Sequence, residues 1–259
     1  MEAVYVDLET GERYVTHIKK ILPGDSMDLD FSPEQAHNLR TDEEKLFLAV
    51  YSNGGRRRIE CRSEHLDVKL LCARQGDAVC TATPFPNSQQ FQYSYKYSFR
   101  DFRGYVRLHG REIDLEDAVL VLNSTRAVLP YRSEWVWGAG AKKYGKHTLA
   151  VNIGWGLGSE DAATENALIL NGKVHKLDRI WVDRNQDPMQ PWRFQSNDGR
   201  FQVRFEPVYD RFTKNKLLLV NTATHRVYGQ LFGTVKLDDG RAVWVDGMPF
   251  FCEHAKNRW

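Results

Sequence analysis

Two carboxylates in this chain have neighbours suited to proton transfer. Glu165 lies in Thr164-Glu-Asn166, just ahead of an apolar strand pattern, and Glu206 lies in Phe205-Glu-Pro-Val-Tyr-Asp-Arg211. A carboxyl group held in an apolar pocket has a raised pKa and can protonate a double bond, while aromatic faces stabilise the resulting cation. Glu165 and Glu206 are therefore the candidate catalytic residues. Trp135, Trp137 and Trp155 fall on alternating positions of strand-like segments and are expected to form one wall. With Asn152, Asn166, Arg211 and His254 they make up the candidate ligand-binding set. Each group has a plainer reading: a core stripe for the tryptophans, a loop anchor for Thr164 to Asn166, and a structural ion pair for Glu206, Asp210 and Arg211.

Other chemistries lack their residues. Gly156-Leu-Gly158-Ser159 does not make the frame of a nucleophile elbow, and Gly154-Trp-Gly156-Leu-Gly158 lies between strands without the helix that a phosphate or dinucleotide site needs. The eight histidines show no i, i+4 or H-x-H spacing, and Cys61, Cys72, Cys80 and Cys252 form no C-x-x-C pair. No metal and no cofactor is expected, and the cysteines are read as reduced thiols.

A net charge of +2, from 36 basic and 34 acidic residues mixed along the chain, gives no field for nucleic acid. The one basic run, Arg56-Arg57-Arg58, follows Asn53-Gly54-Gly55 and reads as a solvated hairpin turn. The first residues lack a signal peptide, and no window approaches the ~18 apolar residues of a spanning helix. The expectation is a cytoplasmic protein without stable membrane insertion, whose partner is a small hydrophobic molecule. The sequence sets no oligomeric state.

The elements that must hold these residues are strands, because alternation of apolar and polar residues, cut by turn dipeptides, runs from end to end. Ala3–Leu8 and Arg13–Ile18 form a first hairpin, so Met1 enters almost inside a strand and the first barrel is expected to lack part of its start. Further strands are expected at 46–51, 57–62, 66–72, 91–99 and 104–108. The second half adds 134–138, 148–154, 167–170, 173–176, 178–183, 192–195, 202–207, 216–222, 226–236 and 241–246. Ser32-Pro-Glu-Gln35 is the best helix start. Asn171-Gly172, Asp198-Gly199 and Asp239-Gly240 read as type I′ hairpin turns, which need positive φ at both central residues.

One pattern occurs twice. Gly104-Tyr-Val-Arg-Leu-His-Gly110-Arg111 leads into the apolar run 118–122 and then Asn123 and Arg126. Gly233-Thr-Val-Lys-Leu-Asp-Asp-Gly240-Arg241 leads into Met248-Pro-Phe-Phe251 and then Glu253, His254 and Arg258. A repeat at domain-sized spacing implies duplication, with domains at 1–130 and 131–259.

Pro130-Tyr-Arg-Ser-Glu-Trp-Val-Trp137, Thr164-Glu-Asn-Ala167, Gly172-Lys-Val-His-Lys-Leu177, Pro191-Trp-Arg193, Phe205 to Arg211, His225-Arg-Val-Tyr-Gly229 and Asn257-Arg-Trp259 together resemble a largely bacterial domain-of-unknown-function family. The resemblance implies membership of the lipocalin-like (calycin) group, which includes the carotenoid hydratases, or hydroxyneurosporene synthases. It implies an all-β fold of two lipocalin-like antiparallel β-barrels packed side by side. Where that family has an aspartate before the arginine of the first copy, this chain has Asn123, and an amide neither ionises nor delivers a proton near neutral pH. The expected function is binding of a lipid or isoprenoid type of molecule in a barrel cleft. The alternatives are a cofactor-independent hydratase or isomerase of a hydrophobic alkene and a non-catalytic structural module.

Overall fold

The computed structural model describes residues 1–18, 37–86, 89–217 and 220–258. The chain is all-β, with no helix among the described residues. In chain order the strands are β1 (Glu2–Val6), β2 (Arg13–His17), β3 (His37–Glu43), β4 (Leu46–Asn53), β5 (Arg56–Ser63), β6 (Leu66–Ala73), β7 (Val79–Pro84), β8 (Phe91–Phe99), β9 (Phe102–Leu108) and β10 (Arg111–Glu112). There follow β11 (Leu120–Val128), β12 (Arg132–Tyr144), β13 (His147–Trp155), β14 (Ala167–Leu170), β15 (Lys173–Lys176), β16 (Ile180–Asp183), β17 (Trp192–Ser196), β18 (Phe201–Leu217), β19 (Val220–Lys236) and β20 (Ala242–Arg258). The helix start expected at Ser32 lies outside the described residues.

Two compact units divide these strands. The first comprises residues 1–75 and 99–118, and the second comprises 76–98 and 119–259. The first holds the β1-β2 hairpin and a six-stranded sheet in the order β10-β9-β6-β5-β4-β3. Its register places Leu48, Val50, Ile59, Cys61, Val68 and Leu70 on one face, and Glu60, Arg62, Asp67 and Lys69 on the other. This is the period-two pattern that a half-buried sheet requires.

The second unit holds a nine-stranded antiparallel sheet in the order β15-β14-β13-β12-β20-β19-β18-β17-β16. The sheet curls, because one core cluster draws on every strand except β15, from Val136 and Leu149 through Leu168 and Ile180 to Phe250 and Cys252. The interior is filled by large rings. Trp192 packs edge-on against Phe205 at 5.9 Å, and Phe205 against Phe250 at 5.3 Å. Gly138 and Gly140 on β12 make room for that last ring, since a Cβ on either would come within 2.8 Å of a Phe250 ring carbon. The centre of this curled sheet is therefore a packed core, and any ligand must sit at its rim or on its outer face.

The outer face of β13 and β14 is covered by a three-stranded sheet, β11-β8-β7, whose Val79 packs with Ala150, Ala167 and Ile169. Strand β8 is buried on both faces, so its alternating aromatic and polar residues do not mark a solvated side.

The repeated pattern has a structural counterpart. Gly104 on β9 and Gly233 on β19 have φ of 134° and 143°. A Cβ on Gly104 would lie 1.8 Å from the Lys69 carbonyl oxygen, and one on Gly233 would lie 2.3 Å from that of Gln202. In each case the blocking carbonyl precedes the residue opposite in register, Leu70 or Val203. The glycines mark the same bend in two strands.

Several expectations need correction. Only Asn171-Gly172 has positive φ at both residues, at 52° and 84°, while at 198–199 and 239–240 only the glycine does. Four residues separate β17 from β18, so that link is not a two-residue turn; there Ser196 Oγ accepts from the backbone N–H of Arg200 and Phe201. Segment 216–222 is not one strand, because β18 and β19 pair out to Leu217 opposite Val220. The long strands β18, β19 and β20 run through the breaks that the sequence placed inside them, and β7 carried no clear alternation signal.

Candidate functional site

Strand parity splits the expected tryptophan wall. Trp137 is opposite Gly154 in the β12-β13 register, so Trp155 aligns with Val136 on the core side while Trp135 and Trp137 face outward. A shift of one residue moves a side chain to the other face, and the wall was drawn across such a shift. Two charged clusters result, one on each face.

On the outer face, the second unit buries an ion pair between the Lys96 ammonium and the Glu165 carboxylate, with side chains 3% and 5% exposed. Gln92 donates to Glu165 Oε2 at 3.1 Å, and Asn152 donates to the Glu165 backbone carbonyl at 2.8 Å. Trp137 Nε1–H donates to Asn152 Oδ1 at 3.0 Å, and its ring lies 4.9 Å from Lys96 Nζ. Asn166 accepts from Gly154 N–H at 2.6 Å and donates to the Asp178 carbonyl at 2.8 Å, tying β13 to the segment before β16. Burial pushes the Lys96 pKa down to about 8 against the opposing pull of Glu165. Burial likewise lowers that of Lys176, which donates to the Thr164 carbonyl at 2.5 Å.

On the core face, a pocket of about 280 Å³ opens at the rim of the curled sheet. Val136, Trp155 and Val182 give it apolar walls, and Glu134, Arg184 and His254 give it a charged end. His254 Nε2 lies 2.8 Å from Glu134 Oε1 and 3.0 Å from Arg184 Nη2. That nitrogen can donate to the carboxylate or accept from the guanidinium, but not both at once. Burial lowers the His254 pKa, with Arg184 acting in the same sense and Glu134 against it. Burial alone would raise the Glu134 pKa, but hydrogen bonds from His254 and from Lys256, at 3.0 Å, leave it lowered. Arg184 also stands 5.5 Å from the Trp192 ring, which fixes it over the core.

The structure thus brings Trp137, Asn152, Glu165 and Asn166 together in one cluster, and Trp155 and His254 in another. The remaining candidates stand apart. Trp135 Nε1–H donates to Glu253 Oε1 at 3.1 Å, and Glu253 accepts from Arg226 at 3.0 Å. Glu206 is partly exposed beside Arg204 at 2.5 Å, and Arg211 lies across from Arg226 on the outer face. Sequence reading missed Lys96, Gln92, Glu134 and Arg184. The signal for the first two was the run Gln92-Tyr-Ser-Tyr-Lys96, whose alternation puts Gln92, Ser94 and Lys96 on one face of a strand. Among the described residues no three side chains make a metal-binding group, and no helix is long and apolar enough to cross a membrane.

The chain is a member of the family described as "Domain of unknown function (DUF2804)", whose model matches residues 1–259. No curated protein matches it. Solved structures of a protein called CghA, one of them with Sch210972, resemble it at 10% and 9% identity, with TM-scores of 0.40 and 0.37. Each alignment covers 85% of this chain and 69% of the other.

Proposed function

We propose that the protein binds a small amphipathic molecule of lipid or isoprenoid type at the rim pocket of its second unit. The observation that carries this reading is the pairing, in one concavity, of the apolar wall of Val136, Trp155 and Val182 with the charged end made by Glu134, Arg184 and His254. Ligand sites combine apolar walls with a few converging polar groups in this way. At about 280 Å³ the pocket is at the small end of such sites and suits a polar head with the first part of a chain. A hydroxyl or carboxylate head would meet Arg184 and the His254 Nε2 edge, and the chain would lie on the Trp155 ring.

The hydratase reading needs a neutral carboxylic acid facing an apolar pocket. Glu165 is paired with Lys96 and Glu206 with Arg204, so the geometry favours binding over that chemistry. The proposal includes kinship with the lipocalin-like group, supported by the curled antiparallel sheet, and a duplication boundary near residue 130, supported by the matching bends at Gly104 and Gly233. It also includes a cytoplasmic setting, with which the four unbridged thiols agree.

Titration with medium-chain fatty acids and isoprenoid alcohols, followed by Trp155-dependent fluorescence and native mass spectrometry, tests it. A saturable change that disappears in Trp155→Phe, together with a 1:1 adduct, is the expected result. The absence of an adduct across the whole panel would overturn it.

A further inference from the structure

The charged end of the rim pocket is unbalanced. Glu134, Arg184 and His254 line it together with the neutral Asn185 and Gln186, and Lys256 on β20 reaches Glu134 at 3.0 Å. Burial, with Arg184 acting in the same sense and Glu134 against it, lowers the His254 pKa and so keeps the imidazole neutral at pH 7. Two cations, Arg184 and Lys256, therefore face the single carboxylate of Glu134.

The unmatched cation is Arg184. Glu134 is already engaged by His254 and Lys256, whereas the Arg184 guanidinium, among the described residues, donates to the Asn185 carbonyl at 3.3 Å and meets His254 Nε2 at 3.0 Å, with no carboxylate in ion-pair range. A partly buried guanidinium beside apolar walls is costly without a counter-ion. An anion in the pocket would also end the conflict at His254. Its Nε2 cannot donate to Glu134 while accepting from Arg184, so a guanidinium turned towards a ligand leaves the Nε2–H to Glu134 alone.

The same charges set the size of that anion. A carboxylate brings one negative charge, which equals the surplus, and its planar oxygens take two parallel hydrogen bonds from a guanidinium. A hydroxyl brings none and leaves Arg184 without a counter-ion. A phosphate monoester brings about −1.5 to −2 and would put the excess beside Glu134. We infer, on the strength of the binding reading above, that the rim pocket selects an ionised monocarboxylic acid, with Arg184 as its two-point anchor and its apolar chain on Val136, Trp155 and Val182. Glu134, held in place by His254 and Lys256, repels more highly charged heads.

Calorimetric titration of the whole chain with sodium octanoate, 1-octanol and octyl phosphate, which share one apolar chain and differ in the head, tests the inference. Octanoate should bind about tenfold tighter than either of the others. Arg184→Met should remove the preference for octanoate over octanol by weakening octanoate alone, and Arg184→Lys, which keeps the charge but loses the planar fork, should retain only part of it. Glu134→Gln should strengthen octyl phosphate more than octanoate. Octanol or octyl phosphate binding as tightly as octanoate, or a preference for octanoate that survives Arg184→Met, would overturn the choice of head group and leave the binding reading standing. If none of the three binds, both fall.

Discussion

The second unit carries two clusters in which a carboxylate meets a cationic or titratable partner, and they differ in what surrounds them. Lys96 and Glu165 are enclosed by the β7-β8-β11 sheet and the outer face of β12 and β13, with each oxygen of the carboxylate and two edges of the neighbouring amides already engaged. Glu134, Arg184 and His254 gather a similar set of charges beside open space, and a single imidazole nitrogen there has two competing partners. A satisfied, enclosed pair holds layers together, whereas a set with more partners than it can use, facing a pocket, can exchange one of them for a ligand. Burial of charge is therefore a poor guide to function unless space adjoins it.

The largest effect should come from breaking the enclosed pair. Lys96→Met leaves Glu165 buried without its cation and should cost about 3–5 kcal/mol in urea unfolding, most of which the double change Lys96→Met with Glu165→Leu should restore. If the single substitution costs under ~1 kcal/mol, the pair does not hold the layers. A slightly smaller effect should appear with pH. Lys96 has a pKa of about 8 in the fold against 10.5 ordinarily, so between those values the unfolded chain binds the extra proton. Stability relative to the double variant should then rise as the pH climbs from 8 to 10.5, because the cost of burying the ammonium is relieved while the neutral amine, unlike a methionine, still donates to Glu165. A flat difference across that range would contradict the burial cost.

The open cluster should respond in ligand binding rather than in folding. Arg184→Met should weaken an anionic ligand about tenfold and change stability by only about 1 kcal/mol. If instead it unfolds the protein, the rim resembles the enclosed pair and the distinction fails. The smallest effect belongs to His254. Its pKa is lowered, so just below pH 6.5 the unfolded chain takes up the proton first. Stability should fall as the pH drops through that window, and less so in His254→Gln. An identical pH dependence in the two proteins would remove His254 from the titrating cluster.

The strand content and many of the hairpins were legible because alternation and turn dipeptides are local signals. Strands β8, β14 and β15 lie where the pattern placed them. Glu165 and His254 were legible as residue types, but their partners were not. Lys96 comes from a strand 69 residues before Glu165, and Glu134 from one 120 residues before His254. Such pairings depend on which sheet covers which face, which no window of sequence encodes. The tryptophan wall failed for a related reason: parity within each strand was clear, but parity between β12 and β13 depends on the turn at Gly145.

The four cysteines have a practical consequence. Cys61 and Cys72 are buried with thiols pushed up to about 11, and Cys252 is wholly enclosed, its burial holding the thiol well above the usual range. Cys80 is exposed on β7, within 3.3 Å of the Tyr93 hydroxyl. A maleimide reagent at neutral pH should therefore tag one position on the native chain and reach the other three only as the protein opens. The molecule carries, without any substitution, both a single attachment point for a probe on its covering sheet and an internal gauge of how far each unit has come apart.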